Sequence, residues 1–295
     1  MINRGVSAVW YLSFLMVLFS TGQFALSTEV DSFTNRYVGH KDSTSALDAE
    51  VNRRIAIGVR RANLAGTCSA YLLSMAVGNE LRAGITGGFM ISPLEVFSNE
   101  DPSVFRTVEE KSLSVFRNVE LWQSVPITVY PLGRLIKVNG HFIGGDKFSH
   151  FFNEGYIYYR KHNSRGLTMD DVLVYGQGTE EGRWGLATSG IFSYADLVAN
   201  FQGMRFWTSF FNGNDPLTGE TTPYLVCDED KWVQTRTFSW SDFVDAGWDE
   251  GVNCNRYKES LSRVLRPVSN LRCPVQDNPC HALREKYGVI ADKIL

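Results

Sequence analysis

The sequence predicts a mainly α protein: a compact helical domain with a few short strands and a disulfide-bearing C-terminal extension. Three observations carry that expectation. Apolar residues recur at helical spacing over 43–63 and again over 193–212. Ser/Thr-x-x-Asp boxes at Thr168/Asp171, Ser193/Asp196 and Ser239/Asp242 have the form of helix starts, the hydroxyl capping a free N–H while the acid reaches back to the cap. Of the five cysteines, only Cys68 precedes residue 220, so cross-linking is expected in the C-terminal part.

Residues 1–27 read as a secretory signal peptide. Arg4 supplies the positive start, residues 6–19 are an apolar run, and Ala25-Leu26-Ser27 is a small-x-small cleavage site. Such a run is shorter than the roughly 20 residues that a spanning helix needs, and no later run is long enough. The sequence thus predicts an exported chain, periplasmic or secreted, starting near Thr28 and entering an oxidising compartment. The preferred disulfides are Cys273–Cys280, which encloses a Pro-containing hexapeptide, and Cys227–Cys254, which brackets a Trp-rich segment. Cys68 is then left as a small buried hydrophobe. No Cys/His spacing suits zinc, and a net charge of −3 gives no nucleic-acid footprint.

After the leader, a helical core is expected over 28–220 and a Trp- and Cys-containing extension packed on it over 221–295. Leu47, Val51, Ile55 and Val59 make 43–63 an amphipathic helix, and a second is expected over 67–81. The stretch 84–95 reads as loop. Val115, Phe116, Val119, Leu121, Val125, Ile127 and Val129, with Val138, Phe142 and Ile143 beyond, predict one or two strands between 103 and 145. Gly140, Gly144 and Gly145 punctuate the entry to a helix beginning at Asp146, a candidate N-cap. Gly176-Gln177-Gly178 is read as a turn. A helix from Ser193 should stop near Asn212-Gly213, with Pro216 beyond. In the extension, Trp232, Trp240 and Trp248 accompany Asp228, Asp230, Asp242, Asp245, Asp249 and Glu250, a composition that could line a sugar-binding groove but more readily builds an ordinary disulfide-closed core.

The candidate chemistry lies where polar residues interrupt apolar helices. Residues four apart share a helix face, so Asp146, His150 and Glu154 form one stripe and Asp196, Asn200 and Gly203 another. Burying such groups is costly unless they are paired, so the two stripes are expected to face each other, with His150 in reach of Asp196, Asn200 or Glu181. Asn200 has poor propensity inside a helix and should make a specific hydrogen bond. Gly203 on the same face should mark close approach of the other helix. Glu181, favoured over Glu180 by its spacing to Asp196, is expected to turn back toward this pair.

Asp146-Lys147-x-x-His150, then Glu181, then Asp196-Leu197-x-x-Asn200-x-x-Gly203 resembles the VanZ-like proteins and a related family of bacterial periplasmic proteins of unknown function, over about residues 140–211. VanZ-like proteins are multi-pass membrane proteins associated with glycopeptide resistance. This chain lacks such spans, so the membrane location does not transfer. Those sequences also tend to place a Gln after the Glu and an Arg before the second helix, whereas here Trp184 stands three after Glu181 and Arg183 comes too early. The resemblance implies an envelope context and candidate residues, but no reaction.

Two classes of function remain open. One is a hydrolase or transferase acting on cell-wall glycan or lipid headgroups. In it His150 is general acid or base, Asp146 or Asp196 orients it, Glu181 is a second titrating group and Asn200 holds a substrate oxygen or water. The other is a non-catalytic binding or structural protein in which the same residues are a buried polar network. A divalent metal on His150, Asp146, Glu181 and Asp196 is a third arrangement these side chains allow.

Overall fold

The structure, a computed structural model, describes residues 29–39, 41–83, 91–182, 185–268, 273–274 and 279–295. The segment read as a signal peptide and the stretch 84–90 lie outside the described residues. About half of the chain is helical, and its strands are short.

The amphipathic helix runs over Thr44–Asn63 and buries Leu47, Val51, Ile55 and Val59 as the spacing predicts. Ala70–Leu81 packs against it, and Gly58 lets the backbones meet: a Cβ there would lie 2.7 Å from Val77 Cα. Residues 93–95, expected as loop, are instead the first turn of a helix, Pro93–Glu100. Ser92 caps it, and a Pro in its first turn has no N–H to leave unpaired.

The strands of 103–145 are Leu135–Val138 and His141–Gly144, an antiparallel hairpin with Arg106–Thr107 on its outer edge. Asn139 and Gly140, at φ 49° and 79°, supply the two left-handed residues that a two-residue hairpin turn needs. The apolar run 114–130 is not extended. It forms turns and a short helix, Val125–Val129, because Ser124 followed by Pro126 starts a helix; Val115, Phe116, Val119 and Ile127 enter a small separate core with Ile191, Leu261 and Leu265, while Leu121, Val125 and Val129 are exposed.

The helix after Asp146 alternates in type: α over Lys147–Ser149, π over His150–Glu154, α over Gly155–Tyr159 and π over Arg160–Ser164. It crosses the helix Tyr194–Asn212, which is capped by Ser193 and ends at Gly213 with φ 62°, as expected. At the crossing a Cβ on Gly203 would lie 1.9 Å from the Phe151 carbonyl oxygen, and one on Gly155 would lie 2.5 Å from Gly203 Cα. Gly203 thus marks a helix–helix contact closer than any side chain permits. Gly176-Gln177-Gly178 is not a turn: the helix Met169–Glu181 runs through it, started by a complete Thr168/Asp171 capping box, and Gly176 leaves room for the Tyr158 hydroxyl.

The C-terminal part folds back over these helices. Trp240 and Trp248 are fully buried against Phe148 and Phe151, so the composition that also suited a sugar groove is used as core. The Ser239/Asp242 box begins only a three-residue 3-10 turn. The disulfides are Cys68–Cys227 and Cys254–Cys273, with Cys280 a free exposed thiol, which corrects both preferred pairs and the free cysteine. The reason is tertiary. The hairpin Leu225–Asp228/Lys231–Gln234 docks on the first helix, where Asn63 and Trp232 exchange two hydrogen bonds of 3.0 and 2.8 Å, and this carries Cys227 to Cys68.

Gly203→Ala should lose roughly 1–3 kcal/mol or more, because the added methyl can be placed only by moving one helix off the other. Urea unfolding measures this. An unchanged midpoint would show that the crossing is looser than its geometry.

Candidate functional site

The two polar stripes do meet, and at their centre is a residue to which the sequence assigned no role. Lys147, 1% exposed, places its ammonium 2.8 Å from Asp146 Oδ2, 2.6 Å from Asp196 Oδ1 and 2.6 Å from Glu250 Oε1. Burial penalises this cation, but the charges of Asp146, Asp196 and Glu250 outweigh the penalty and raise its pKa well above the ordinary lysine value. Asp146 and Lys147 open one helix, Asp196 opens the other, and Glu250 comes from the C-terminal part, so one ammonium ties three regions of the chain.

Asp146 makes no capping hydrogen bond, which removes the bland explanation for it. Its second oxygen, Oδ1, is shielded from solvent and has no hydrogen-bond partner among the described residues, lodged where Gly144 has no side chain. Asp196 has a side-chain hydrogen bond with its cap residue, Ser193, but its main partners lie elsewhere. Ser193 accepts from the Asp196 N–H, but the carboxylate is turned to Lys147 and His150. Burial acts to raise the Asp196 pKa, and the charges of His150 and Lys147 overcome it and hold the carboxyl below its usual range.

His150 is held at both ring nitrogens: Nε2 lies 3.2 Å from Asp196 Oδ2, and Nδ1 lies 3.1 Å from Asn200 Oδ1. Asn200 in turn reaches the hydroxyl of fully buried Tyr158 at 3.3 Å. With Asn200 donating to Tyr158, its oxygen accepts from Nδ1–H, and the contact with Asp196 takes a second proton on Nε2. With the amide turned over, Asn200 donates to Nδ1, Tyr158 donates to Asn200, and one ring proton on Nε2 serves Asp196. The chain Tyr158–Asn200–His150–Asp196 therefore accommodates one or two imidazole protons without displacing a ring. His150 and Asp146 are also the openings of the cluster to solvent, their side chains 17% and 20% exposed.

Glu180, and not Glu181, faces this centre. Glu181 is exposed and pairs with Arg256 on the surface at 3.1 Å, whereas Glu180 is 2% exposed. Burial, then the charges of Asp196 and Glu29, raise the Glu180 pKa well above the carboxylate range. Burial also raises Glu250, partly offset by Lys147. Glu29 is partly exposed as a residue, but its carboxyl is enclosed; burial and then the Glu250 charge push it up to about 8, against a hydrogen bond to Ser189. Burial thus works against full ionisation of this group of carboxyls. Glu154, the last member of the first stripe, is buried near Tyr158; burial, opposed by the Asn200 hydrogen bond and assisted by Glu154 and Glu180, raises that phenol.

Of the expected residues, then, Asp146, His150, Asp196 and Asn200 come together, and Glu181 stays outside. Lys147, Glu250, Glu180, Glu29 and Tyr158 join them. Glu180 had a readable signal: it falls four residues after Gly176, in phase with buried Val172 and Leu173, while Glu181 is a third of a turn away. One donor atom each from Asp146, His150 and Asp196 lies within 4.8 Å of the others, a set that could hold a divalent ion. No family model, curated protein or solved structure matches the chain.

The raised carboxyl groups fix the sign of a pH effect. Unfolding returns Glu29 and Glu180 to about 4.5, so between that value and about 8 the native state binds more protons than the unfolded one. Their contribution is fully present below the unfolded value and lost as pH rises. The melting temperature should fall from about pH 5.5 to about pH 8, and Glu29→Gln should flatten this dependence and raise the melting point at the upper end. A melting curve series in which wild type and variant share one slope would refute the assignment.

Proposed function

We propose that the Lys147-centred cluster is the reaction centre of an exported envelope hydrolase or transferase, with the His150–Asp196 pair as its proton-transfer group. The observation that carries this reading is the state of His150: both nitrogens have fixed partners, one of which is an amide able to serve either protonation state, and the ring still reaches solvent. A purely structural histidine has no need of the opening. In the reaction, Nδ1, the nitrogen without a proton in the singly protonated ring, takes the proton of an attacking water or hydroxyl as Asn200 turns its oxygen to it, Asp196 balances the imidazolium through Nε2–H, and the proton is returned from Nδ1 to the leaving group. With His150, Lys147 holds the Asp196 carboxyl below its usual range and in place, while burial raises the carboxyls of Glu180 and Glu250 around the site.

The envelope context is compatible with two disulfides, and among the described residues no helix is long and apolar enough to cross a membrane. The VanZ-like resemblance of the same residues supports that context. The substrate class we favour is a lipid headgroup rather than a neutral glycan, because the Trp240 and Trp248 faces that would stack on sugars are buried.

A second reading is favoured by one atom. Asp146 Oδ1, shielded and without a partner among the described residues, points to a divalent ion shared with His150 and Asp196. Metal analysis of protein purified without chelator decides it: about one equivalent of metal, lost in Asp146→Asn, would make His150 a ligand and not a base.

His150→Ala should reduce turnover on headgroup substrates by about 10²- to 10⁴-fold while lowering stability less than Leu197→Ala does, since water can refill an open site. Rate assays and complementation of a deletion strain, alongside thermal melts, provide the comparison. If His150→Ala melts as low as Leu197→Ala yet whatever folds remains active, the cluster is a structural network and the proposal fails.

A further inference from the structure

The fold pairs its fully buried arginines with carboxylates. Arg36 is bound to Asp249 and Arg205 to Asp215 at 2.7 Å, each pair buried, and partly buried Arg54 holds Glu50 at 2.6 Å. Arg82 has no carboxylate within ion-pair distance among the described residues, and the segment that follows it, 84–90, contains no acidic residue. Its Nε is shielded from solvent and makes no hydrogen bond among the described residues. Burial, with the like charge of exposed Arg160, lowers its pKa. Arg82 is half-buried, and partly desolvating a cation without a counter-charge is costly.

Arg82 is nevertheless held in place by several features. Its guanidinium carbon stands 3.7 Å from the Tyr156 ring centre and 5.8 Å from that of Trp207. Gly78 leaves the space the guanidinium occupies, since a Cβ there would come within 2.1 Å of it. Ser74 fixes the Tyr156 hydroxyl at 3.1 Å, and the next residue, Ala83, donates its N–H to Asn153 Oδ1 at 2.8 Å. A planar donor fork is thus clamped on an aromatic face with a second cation near it and nothing anionic opposite among the described residues. Two adjacent cations favour an occupant with more than one negative charge, and the fork suits two oxygens at once.

We infer that Arg82, assisted by Arg160, anchors a binding site for a phosphate group, separate from the Lys147 cluster and independent of the reaction assigned to it. The phosphate belongs either to a small soluble ester or inorganic phosphate, or to an anionic lipid headgroup. Both present the same tetrahedral oxyanion to the guanidinium.

The test is calorimetric titration with inorganic phosphate at low ionic strength, together with sedimentation on phosphatidylcholine vesicles with and without phosphatidylglycerol. Wild-type protein should bind one of these probes saturably. Arg82→Gln should weaken that binding about tenfold or more, the loss expected for a charge-assisted bidentate contact, while Arg160→Gln weakens it less and His150→Ala leaves it unchanged. Saturable inorganic phosphate binding identifies the soluble source, and binding confined to phosphatidylglycerol vesicles identifies the lipid. The inference is overturned if wild type binds neither probe, or if Arg82→Gln binds as wild type does. It is equally overturned if Arg82→Met, which keeps the bulk and removes the charge, melts well below wild type, because the inference requires that Arg82 have no protein counter-charge to lose.

Discussion

The Lys147 ammonium is the contact on which the rest of the architecture depends. Each of its three partners comes from a different part of the chain, and the one ammonium pairs with all of them. Breaking a buried ion pair by removing one member typically costs about 3–5 kcal/mol, mainly because the stranded charge has no water to turn to. Here one cation serves three acids, so its position dictates where Asp146, Asp196 and Glu250 must be. It thereby sets the phase of both helices and the docking of the C-terminal part on them.

That constraint accounts for the unusual backbone around it. To keep Lys147 and His150 both turned toward Asp196, the helix must approach its neighbour almost backbone to backbone, which only glycine at 155 and 203 permits. The π segment His150–Glu154 then carries Phe151 and Phe152 into the aromatic core that Trp240 and Trp248 complete. Mid-helix π segments are frequent at functional sites, where the widened turn re-aims a side chain at a small cost in hydrogen bonding. The polar centre and the hydrophobic core share this crossing and could not be changed separately.

What could be read from the sequence was what is local. The cap at Ser193, the stop at Gly213, the capping box at Thr168 and the apolar face of Thr44–Asn63 are properties of a few neighbouring residues, and each is where the spacing puts it. The convergence of His150, Asp196 and Asn200 was also legible, because an unpaired polar stripe in an apolar helix demands a partner. Glu250, Glu29 and the Cys68–Cys227 bridge were not, since each reaches its partner only through the return of a distant segment. The tryptophans were ambiguous for a related reason: composition fixes what a groove and a core have in common. Only the burial of Trp240 and Trp248 separates them.

The charges left unbalanced are the most informative part of the molecule. At one place carboxyl groups outnumber cations, and burial pushes the carboxyls of Glu29, Glu180 and Glu250 up. At another, a guanidinium is clamped on an aromatic ring with no acid opposite among the described residues. Stability alone selects against both, because replacing such groups with apolar ones of similar volume is often neutral or favourable. Elsewhere the same chain solves the same problem by pairing, as Arg36 with Asp249 and Arg205 with Asp215 demonstrate. The cost of each imbalance is met by the packed aromatic core that surrounds the crossing helices.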